Sequence, residues 1–226
     1  MGLRVVFAED NYLVREGTVA LLGTVEGLDV AAAVGDLPSL LVAVASARPD
    51  AVLTDIRMPP AHDMEGIEAA RWIRSSYPDV GVVVLSQYVE EDYAYELLKD
   101  GVAGRGYLLK ERVRRVDELV RALGEVASGG SVLDPAVVEA LLARKVRAAQ
   151  SPLARLTERE RDVLAQMAEG KNNAAIADAL CLSERAVEKH INAMFHKLGL
   201  SEEEHVHRRV AAVLAFLQDE GGLERR

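Results

Sequence analysis

Apolar residues in the first 127 positions alternate between two spacings. Short, nearly continuous runs rich in β-branched residues are typical of strands buried on both faces, and Val82-Val83-Val84-Leu85 is the clearest of them. Between the runs, apolar residues recur at helical spacing. The predicted strands are residues 3–8, 30–34, 51–55, 80–86 and 106–109, and the predicted helices are residues 12–24, 38–47, 66–76, 90–100 and 113–127. Five strand–helix repeats predict an α/β domain with a five-stranded, parallel, doubly wound sheet.

The pattern changes after residue 127. Gly129 and Gly130 interrupt the last helix, and Asp134-Pro135 is typical of an N-cap followed by proline, which predicts a helix over residues 135–147. The small, polar segment 148–152 ends in proline and indicates a linker. We therefore expect an α/β domain at residues 1–127, a linker containing a helix at 128–153, and a helical domain at 154–226.

Residues after 154 carry only helical signals. Thr157 and Glu160 have the spacing of a capping box, and Ser201 and Glu204 repeat it. The predicted helices are residues 157–169, 173–180, 183–198 and 201–219. A capped helix, a short helix, a tight turn and a longer helix follow the order of a helix-turn-helix, whose second helix enters the major groove of DNA. The sequence thus predicts an all-α, four-helix DNA-binding domain.

Polar side chains follow four of the predicted strands. Glu9 and Asp10 follow the first strand, Asp55 ends the third, Ser86 ends the fourth and Lys110 follows the fifth. Because the carboxyl ends of parallel strands share one edge, we expect these side chains to converge. Three carboxylates suit a hard cation such as Mg²⁺. Asp55, Ser86 and Lys110 would then supply a nucleophile, a hydroxyl donor and an ammonium group for phosphoryl transfer.

These features make residues 1–127 resemble the receiver domain of two-component response regulators. The matching segments are Glu9-Asp10, Asp55-Ile56-Arg57-Met58-Pro59, Ser86 and Gly106-Tyr107-Leu108-Leu109-Lys110. The resemblance implies that Asp55 accepts a phosphoryl group from a sensor histidine kinase. It also implies that Asp10, Asp55 and the backbone carbonyl of Arg57 bind Mg²⁺, with Glu9 acting through water.

The resemblance further implies a switch. Ser86 would move toward the phosphoryl group, and the rotation of Tyr107 would report the state of the site; a half-buried strand aromatic is the alternative interpretation of Tyr107. The loop from Asp55 to Gly66 is a few residues longer than the commonest receiver pattern. Its His62 has no second histidine near it in sequence, which favours a solvated loop position over a metal ligand.

Residues 154–217 resemble the LuxR-type domain of the NarL/FixJ response regulators. The matching segments are residues 156–160, 170–177, 182–191 and 197–200. On the helix at 183–198, Val187, Ile191, Met194 and Leu198 form the predicted buried stripe, which leaves the opposite face for DNA.

Two residues on that face are candidates for contacts with base edges. Lysine donates to guanine acceptors and asparagine can read adenine with two hydrogen bonds, which favours Lys189 and Asn192. Phosphate contacts, which position the protein without specifying sequence, are predicted for Arg185, Lys171, Asn173 and Lys197. A solvated surface position is the alternative for each of these side chains.

Charge distribution predicts a dimer. The chain has 226 residues and a formal net charge of −9, and most of the acidity lies in the first domain. Residues 151–199 carry equal numbers of acidic and basic residues, so a monomer should neutralise few phosphates and bind DNA weakly. The last helix carries an apolar stripe, and the resemblance implies a homodimer formed through this helix, through the receiver or through both; core packing alone is the alternative for the stripe. The stripe consists of Val206, Val210, Val213, Leu214 and Leu217.

Cysteine usage and hydropathy indicate the cellular compartment. Cys181 is the only cysteine, so an intramolecular disulfide is excluded, and its apolar neighbours predict a small core residue. The apolar runs are too short to span a bilayer, and the N-terminal segment lacks a signal-peptide pattern. We therefore expect a cytoplasmic protein with no membrane partner.

Two other functions compete with a phosphorylation-controlled transcription factor. A flavodoxin-like enzyme would need a phosphate-binding turn after the first strand, but Glu9-Asp10-Asn11 would repel phosphate and no G-x-x-x-x-G-K-[ST] motif occurs. A phosphorylation-independent DNA-binding regulator could use its receiver only for dimerisation, but the complete set of acids, Ser86 and Lys110 argues against it. We expect no enzymatic activity beyond the receiver's own phosphorylation and dephosphorylation.

Overall fold

The computed structural model of the protein describes residues 2–201 and 207–220, without the side chains of residues 148 and 218–220. The chain divides into two compact units, Met1–Ala143 and Arg144–Arg226. The first unit is α/β, and the second is helical in its described residues.

Six strands among the described residues of the first unit form one parallel sheet in the order β2-β1-β3-β4-β5-β6. Strands β3 and β4 are buried over nearly their whole length, as their continuous apolar runs predict. The strands are β1 Leu3–Ala8, β2 Leu28–Val34, β3 Ala51–Asp55, β4 Gly81–Ser86, β5 Arg105–Leu109 and β6 Ser131–Leu133.

Helices cover both faces of this sheet, so the doubly wound fold is confirmed. One apolar cluster packs beneath α2, α3 and α4, and another packs beneath α1 and α5. Side chains of Asn11 and Asp36 accept backbone N–H groups at the starts of α1 and α2, which fixes where these helices begin. The helices are α1 Tyr12–Leu22, α2 Leu37–Ala47, α3 Glu65–Ser76, α4 Glu91–Leu98, α5 Val116–Ala127 and α6 Pro135–Gln150.

The sixth strand differs from the predicted five. Strand β6 lies in the segment expected to be a linker, and it pairs in parallel with β5, where Tyr107 lies beside Leu133. Val132 and Leu133 pack against the two apolar clusters, and the N–H of Asp134 donates to the carbonyl of Tyr107. Three residues are too few to show strand periodicity, so only pairing with β5 reveals this strand.

Glu65 and Gly66 fix the loop that joins β3 to α3. The carboxylate of Glu65 is buried and accepts backbone N–H groups from Met58, Ala61 and Asp63 at 3.4, 2.8 and 2.9 Å. Burial alone would raise the pKa of Glu65, but backbone hydrogen bonds outweigh it and hold that pKa below 4.5. The N–H of Gly66 donates to Ile56, and a methyl group on Gly66 would overlap the carbonyl oxygen of Asp55. The loop therefore folds around one buried carboxylate.

The second unit contains the predicted helix-turn-helix. Thr157 and Glu160 form the predicted capping box at the start of α7, and Ser183 caps α9. The predicted stripe is confirmed, because Val187, Ile191 and Met194 are buried in the core of this unit and Leu198 packs against it. The helices are α7 Glu158–Ala168, α8 Asn173–Leu180, α9 Glu184–Lys197 and α10 Arg208–Glu220.

The second unit differs from the sequence predictions at Cys181, and one predicted cap falls largely outside the described residues. The capping box predicted at Ser201–Glu204 lies largely outside the described residues, and the described part of the last helix begins at Arg208. The core position predicted for Cys181 is wrong, because the residue is exposed. Helix α8 ends at Leu180, and Cys181 adopts a left-handed φ of 54°, while Leu180 and Leu182 on either side pack against the core.

No helix in the described part of the chain combines the length and apolar character that crossing a membrane requires.

We expect Gly66→Ala to destabilise the first unit. The added methyl group would force α3 away from the end of β3, and overpacking of this kind costs about 1–3 kcal/mol of unfolding free energy. Gly17→Ala is the matched control, because Gly17 is exposed on α1 and has no atom near the added methyl group; this variant should instead gain about 0.5–1 kcal/mol. Urea denaturation measures the unfolding free energies of both variants. Equal values would contradict the close approach of Gly66 to the carbonyl oxygen of Asp55.

Glu65→Gln should also lower the unfolding free energy at pH 7, by about 1–3 kcal/mol, because an amide replaces the charged acceptor of three N–H groups. The folded-state pKa of Glu65 is depressed, so its stabilisation is present above 4.5 and is lost as pH falls through the folded-state value. The difference between wild type and variant should therefore shrink below pH 4.5. A difference that stays constant from pH 7 to acid would show that the charge of Glu65 is not responsible.

Candidate functional site

Three carboxylates meet at the carboxyl edge of the sheet. Glu9 and Asp10 follow β1, and Asp55 ends the neighbouring strand β3. One carboxylate oxygen from each lies within 4.8 Å of the others. Glu9 is 1% exposed, whereas Asp10 and Asp55 are half-buried. The sheet thus brings together the three acids that the sequence places on two separate strands.

Lys110 approaches these acids from the end of β5. Its Nζ lies 2.8 Å from Oε2 of Glu9 and 3.0 Å from Oδ2 of Asp55. Burial alone would lower the pKa of Lys110, but the contacts with Glu9 and Asp55 outweigh it and raise that pKa. For Glu9 the balance is the reverse, because burial raises its pKa more than Lys110 lowers it. One ammonium group therefore compensates the acids only in part.

Ser86 and Tyr107 lie close by, but their hydroxyl groups are turned to a backbone carbonyl. The Oγ of Ser86 donates to the carbonyl of Tyr88 at 2.7 Å, and the hydroxyl of Tyr107 donates to the same oxygen at 3.3 Å. Burial raises the pKa of Tyr107 above its ordinary value. Tyr107 is fully buried rather than half-buried. The two predicted switch residues thus share one acceptor.

The donor set suits a hard divalent cation. The ligand atoms that Glu9, Asp10 and Asp55 offer are all carboxylate oxygens, which Mg²⁺ prefers. Arg57 follows Asp55 by two residues in the same loop, so its backbone carbonyl belongs to this edge of the sheet. The Oδ1 of Asp55 accepts the N–H of Ile56 at 2.9 Å, and its Oδ2 faces Lys110.

His62 and its neighbours make contacts that the sequence does not reveal. The Nδ1 of His62 lies 3.5 Å from Oδ2 of Asp10, although the imidazole is 56% exposed. The next residue, Asp63, accepts the hydroxyl of Tyr93 on α4 at 3.0 Å. Arg57 donates to Glu90 at 2.9 Å and lies over the ring of Tyr93. In the sequence, the one local sign that this loop is ordered is Glu65, an acidic residue in the first turn of α3.

Three of the six predicted DNA-contacting residues are exposed on α9. These residues are Arg185, Lys189 and Asn192. They lie opposite the buried stripe of the helix, as predicted.

The other three predicted DNA contacts are held by protein partners. Lys171 contacts Glu169 at 2.7 Å and Gln166 at 2.5 Å. Asn173 accepts a hydrogen bond from Arg209, and Lys197 lies 2.6 Å from the buried carboxylate of Glu160. The contacts of Lys171 are local, with residues at the end of α7, whereas the sequence could not reveal those of Asn173 and Lys197, because they join helices distant in sequence.

Helix α10 presents two apolar sides. Ala212 and Phe216 are buried in the core of the second unit, and Val213 packs against it. Val210, Leu214 and Leu217, by contrast, are 40–51% exposed. Val206, the other predicted member of the stripe, lies outside the described residues. Core packing therefore accounts for only part of the apolar surface of α10.

Known protein families match both units. The family described as response regulator receiver domain matches residues 5–123, and the luxR family of bacterial regulatory proteins matches residues 154–213. The DNA-binding transcriptional activator DevR/DosR of Mycobacterium tuberculosis is 34% identical over 215 residues, covering 94% of each chain. The probable transcriptional regulatory protein NarL of the same species is 34% identical over 201 residues, covering 88% of this chain and 89% of the relative.

Solved structures agree on the fold. RcsB of Salmonella enterica serovar Typhimurium, bound to a promoter in the presence of the phosphomimetic BeF3-, has a TM-score of 0.57 at 23% identity, covering 98% of this chain and 100% of RcsB. The response regulator ChrA of a heme-sensing two-component system has a TM-score of 0.52 at 27% identity, covering 97% of this chain and 98% of ChrA. With the receiver and luxR matches spanning both units, the chain belongs to the NarL/FixJ family of two-component response regulators, transcription regulators that join a receiver domain to a DNA-binding domain.

Proposed function

We propose that Asp55 accepts a phosphoryl group from a sensor histidine kinase and that this modification controls homodimerisation and sequence-specific DNA binding in the cytoplasm. One observation carries the proposal: Glu9, Asp10, Asp55 and Lys110 converge at one edge of the sheet, in a chain whose other unit presents an exposed helix-turn-helix. The receiver would catalyse only its own phosphorylation and dephosphorylation.

The chemistry follows from the positions of these groups. A carboxylate oxygen of Asp55 would attack the phosphorus of a phosphohistidine, the P–N bond would break, and an acyl phosphate would form on Asp55. A bound Mg²⁺ would neutralise charge on the transferred oxygens. Asp10, Asp55 and the carbonyl of Arg57 would hold it, with Glu9 acting through water. Lys110, already 3.0 Å from Asp55, would donate to one phosphoryl oxygen.

The shared carbonyl of Tyr88 supports a switch between Ser86 and Tyr107. To reach a phosphoryl group, the hydroxyl of Ser86 must leave this carbonyl, which it contacts at 2.7 Å. The hydroxyl of Tyr107 lies 3.3 Å from the same oxygen and can then move closer to it. Phosphorylation would thus change the partners of a buried aromatic residue and bias the receiver toward its active state.

The second unit would read DNA with α9 and dimerise through α10. Arg185, Lys189 and Asn192 are exposed on one face of α9, and we propose that this face enters the major groove. Lys171, Asn173 and Lys197 would have to share or release their protein partners to contact a phosphate. Val210, Leu214 and Leu217 form an exposed apolar stripe that a second copy would cover.

Asp55→Asn should abolish phosphorylation by acetyl phosphate and Mg²⁺, because the amide is not nucleophilic. It should also remove the increase in dimer content and DNA affinity that phosphorylation produces in the wild type. Intact-mass spectrometry, sedimentation and electrophoretic mobility shifts measure these effects on DNA selected from a random duplex library. Asp117→Asn is the control, since Asp117 is exposed on α5. DNA binding that ignores both phosphorylation and Asp55→Asn would instead support the phosphorylation-independent regulator.

Substitutions on α9 should separate base reading from phosphate contact. Asn192→Ala or Lys189→Ala should cost about 1–3 kcal/mol on the selected DNA and relax specificity at one base pair. Arg185→Ala should weaken binding to all sequences alike and lower the salt-dependence slope by about one. Lys145→Ala is the control, since Lys145 is exposed on α6. Loss of affinity without any change in sequence preference for the first two variants would refute the base-edge assignment.

A further inference from the structure

The segment Pro59–Met64, here called the acid-site loop, reaches the acidic site and helix α4 with two adjacent side chains. His62 points its Nδ1 at Oδ2 of Asp10, 3.5 Å away. Asp63 accepts the hydroxyl of Tyr93 at 3.0 Å. The loop therefore connects a cation ligand of the proposed site to α4 by a route that involves neither Ser86 nor Tyr107.

The position of His62 is determined by the backbone around it. Its N–H donates to the carbonyl of Met58 at 3.0 Å, and its φ of 58° lies in the left-handed region. The carboxylate of Glu65 accepts the N–H groups of Ala61 and Asp63, the residues on either side of His62. The imidazole is thus held at Asp10 by an ordered loop, even though more than half of it is exposed.

We propose that His62 is a positioning residue for Asp10 in cation binding, an inference that rests on the proposed cation site. Carboxylate ligands are commonly oriented by a hydrogen bond from a residue that does not touch the metal, and loss of such a partner weakens metal binding. The Nδ1–H group of His62 would serve this role through Oδ2 of Asp10. The present separation of 3.5 Å is longer than a hydrogen bond of about 2.7–3.2 Å, so a small inward movement of the loop would complete it.

The same loop also contacts helix α4 through Asp63. Tyr93 contacts Asp63 on the loop and Arg57 beside Asp55, and Arg57 in turn contacts Glu90 at the start of α4. If cation binding draws His62 toward Asp10, the same movement acts on the Asp63–Tyr93 contact. Cation affinity and the loop's attachment to α4 are therefore coupled, and linkage requires the coupling to be reciprocal.

The test measures Mn²⁺ binding to the full chain by the electron paramagnetic resonance signal of free Mn²⁺. His62→Gly removes the imidazole and tolerates the left-handed backbone, whereas His62→Asn tolerates it and keeps an N–H donor near the place of Nδ1. We expect His62→Gly to raise the Mn²⁺ dissociation constant about tenfold and His62→Asn to recover most of the loss. His207→Gly, in an exposed position of the second unit, should leave Mn²⁺ binding unchanged.

Tyr93→Phe tests the coupling. It removes the hydroxyl that contacts Asp63, so it should weaken Mn²⁺ binding in the wild-type background and have no further effect in His62→Gly. Unchanged binding in His62→Gly, or equal losses in the glycine and asparagine variants, would overturn the role of His62. Additive losses in the double variant would overturn the coupling. Wild-type binding no tighter than that of Asp10→Asn would instead refute the proposed cation site itself.

Discussion

A single ammonium group facing two carboxylates from different strands is the interaction on which the receiver unit depends. Lys110 comes from the end of β5, Glu9 from the end of β1 and Asp55 from the end of β3. A carboxylate as buried as Glu9 is costly to ionise without a partner. The parallel order of the strands brings that partner, and the close approach at Gly66 keeps α3 against the strand that carries Asp55.

The second unit also contains a buried glutamate paired with a lysine, but the pKa of this glutamate shifts in the opposite direction. Glu160 is also buried and contacts a lysine, Lys197, but it additionally accepts the N–H of Thr157 in the capping box. Its pKa is lowered despite its burial, whereas the pKa of Glu9 is raised. Glu160 pairs with Lys197 and so fastens the end of α9 to the start of α7. At the receiver site three carboxylates face one ammonium group, which leaves an excess of negative charge there.

Much of the fold could be predicted because each element carries its own signal. Continuous apolar runs predicted the buried strands β3 and β4. Helical spacing predicted the buried face of α9, which carries Val187, Ile191 and Met194. The convergence of the acids followed from the parallel sheet alone. What could not be predicted depends on tertiary contacts or on one backbone angle. The partner of Lys197 is distant in sequence, and the exposure of Cys181 results from a left-handed turn that its apolar neighbours conceal.

Strand β6 also changes what the sheet presents to other molecules. An unpaired edge is a template on which another chain can add a strand, and this is a common route to aggregation. Without β6 that edge would be β5, which carries the buried Tyr107 and leads to Lys110. With β6 in place, the edge is three residues long and is followed at once by Asp134 and Pro135, and proline has no N–H to donate. A short sequence after the last receiver helix thus makes the β5 side of the receiver sheet a poor template for a strand from another chain.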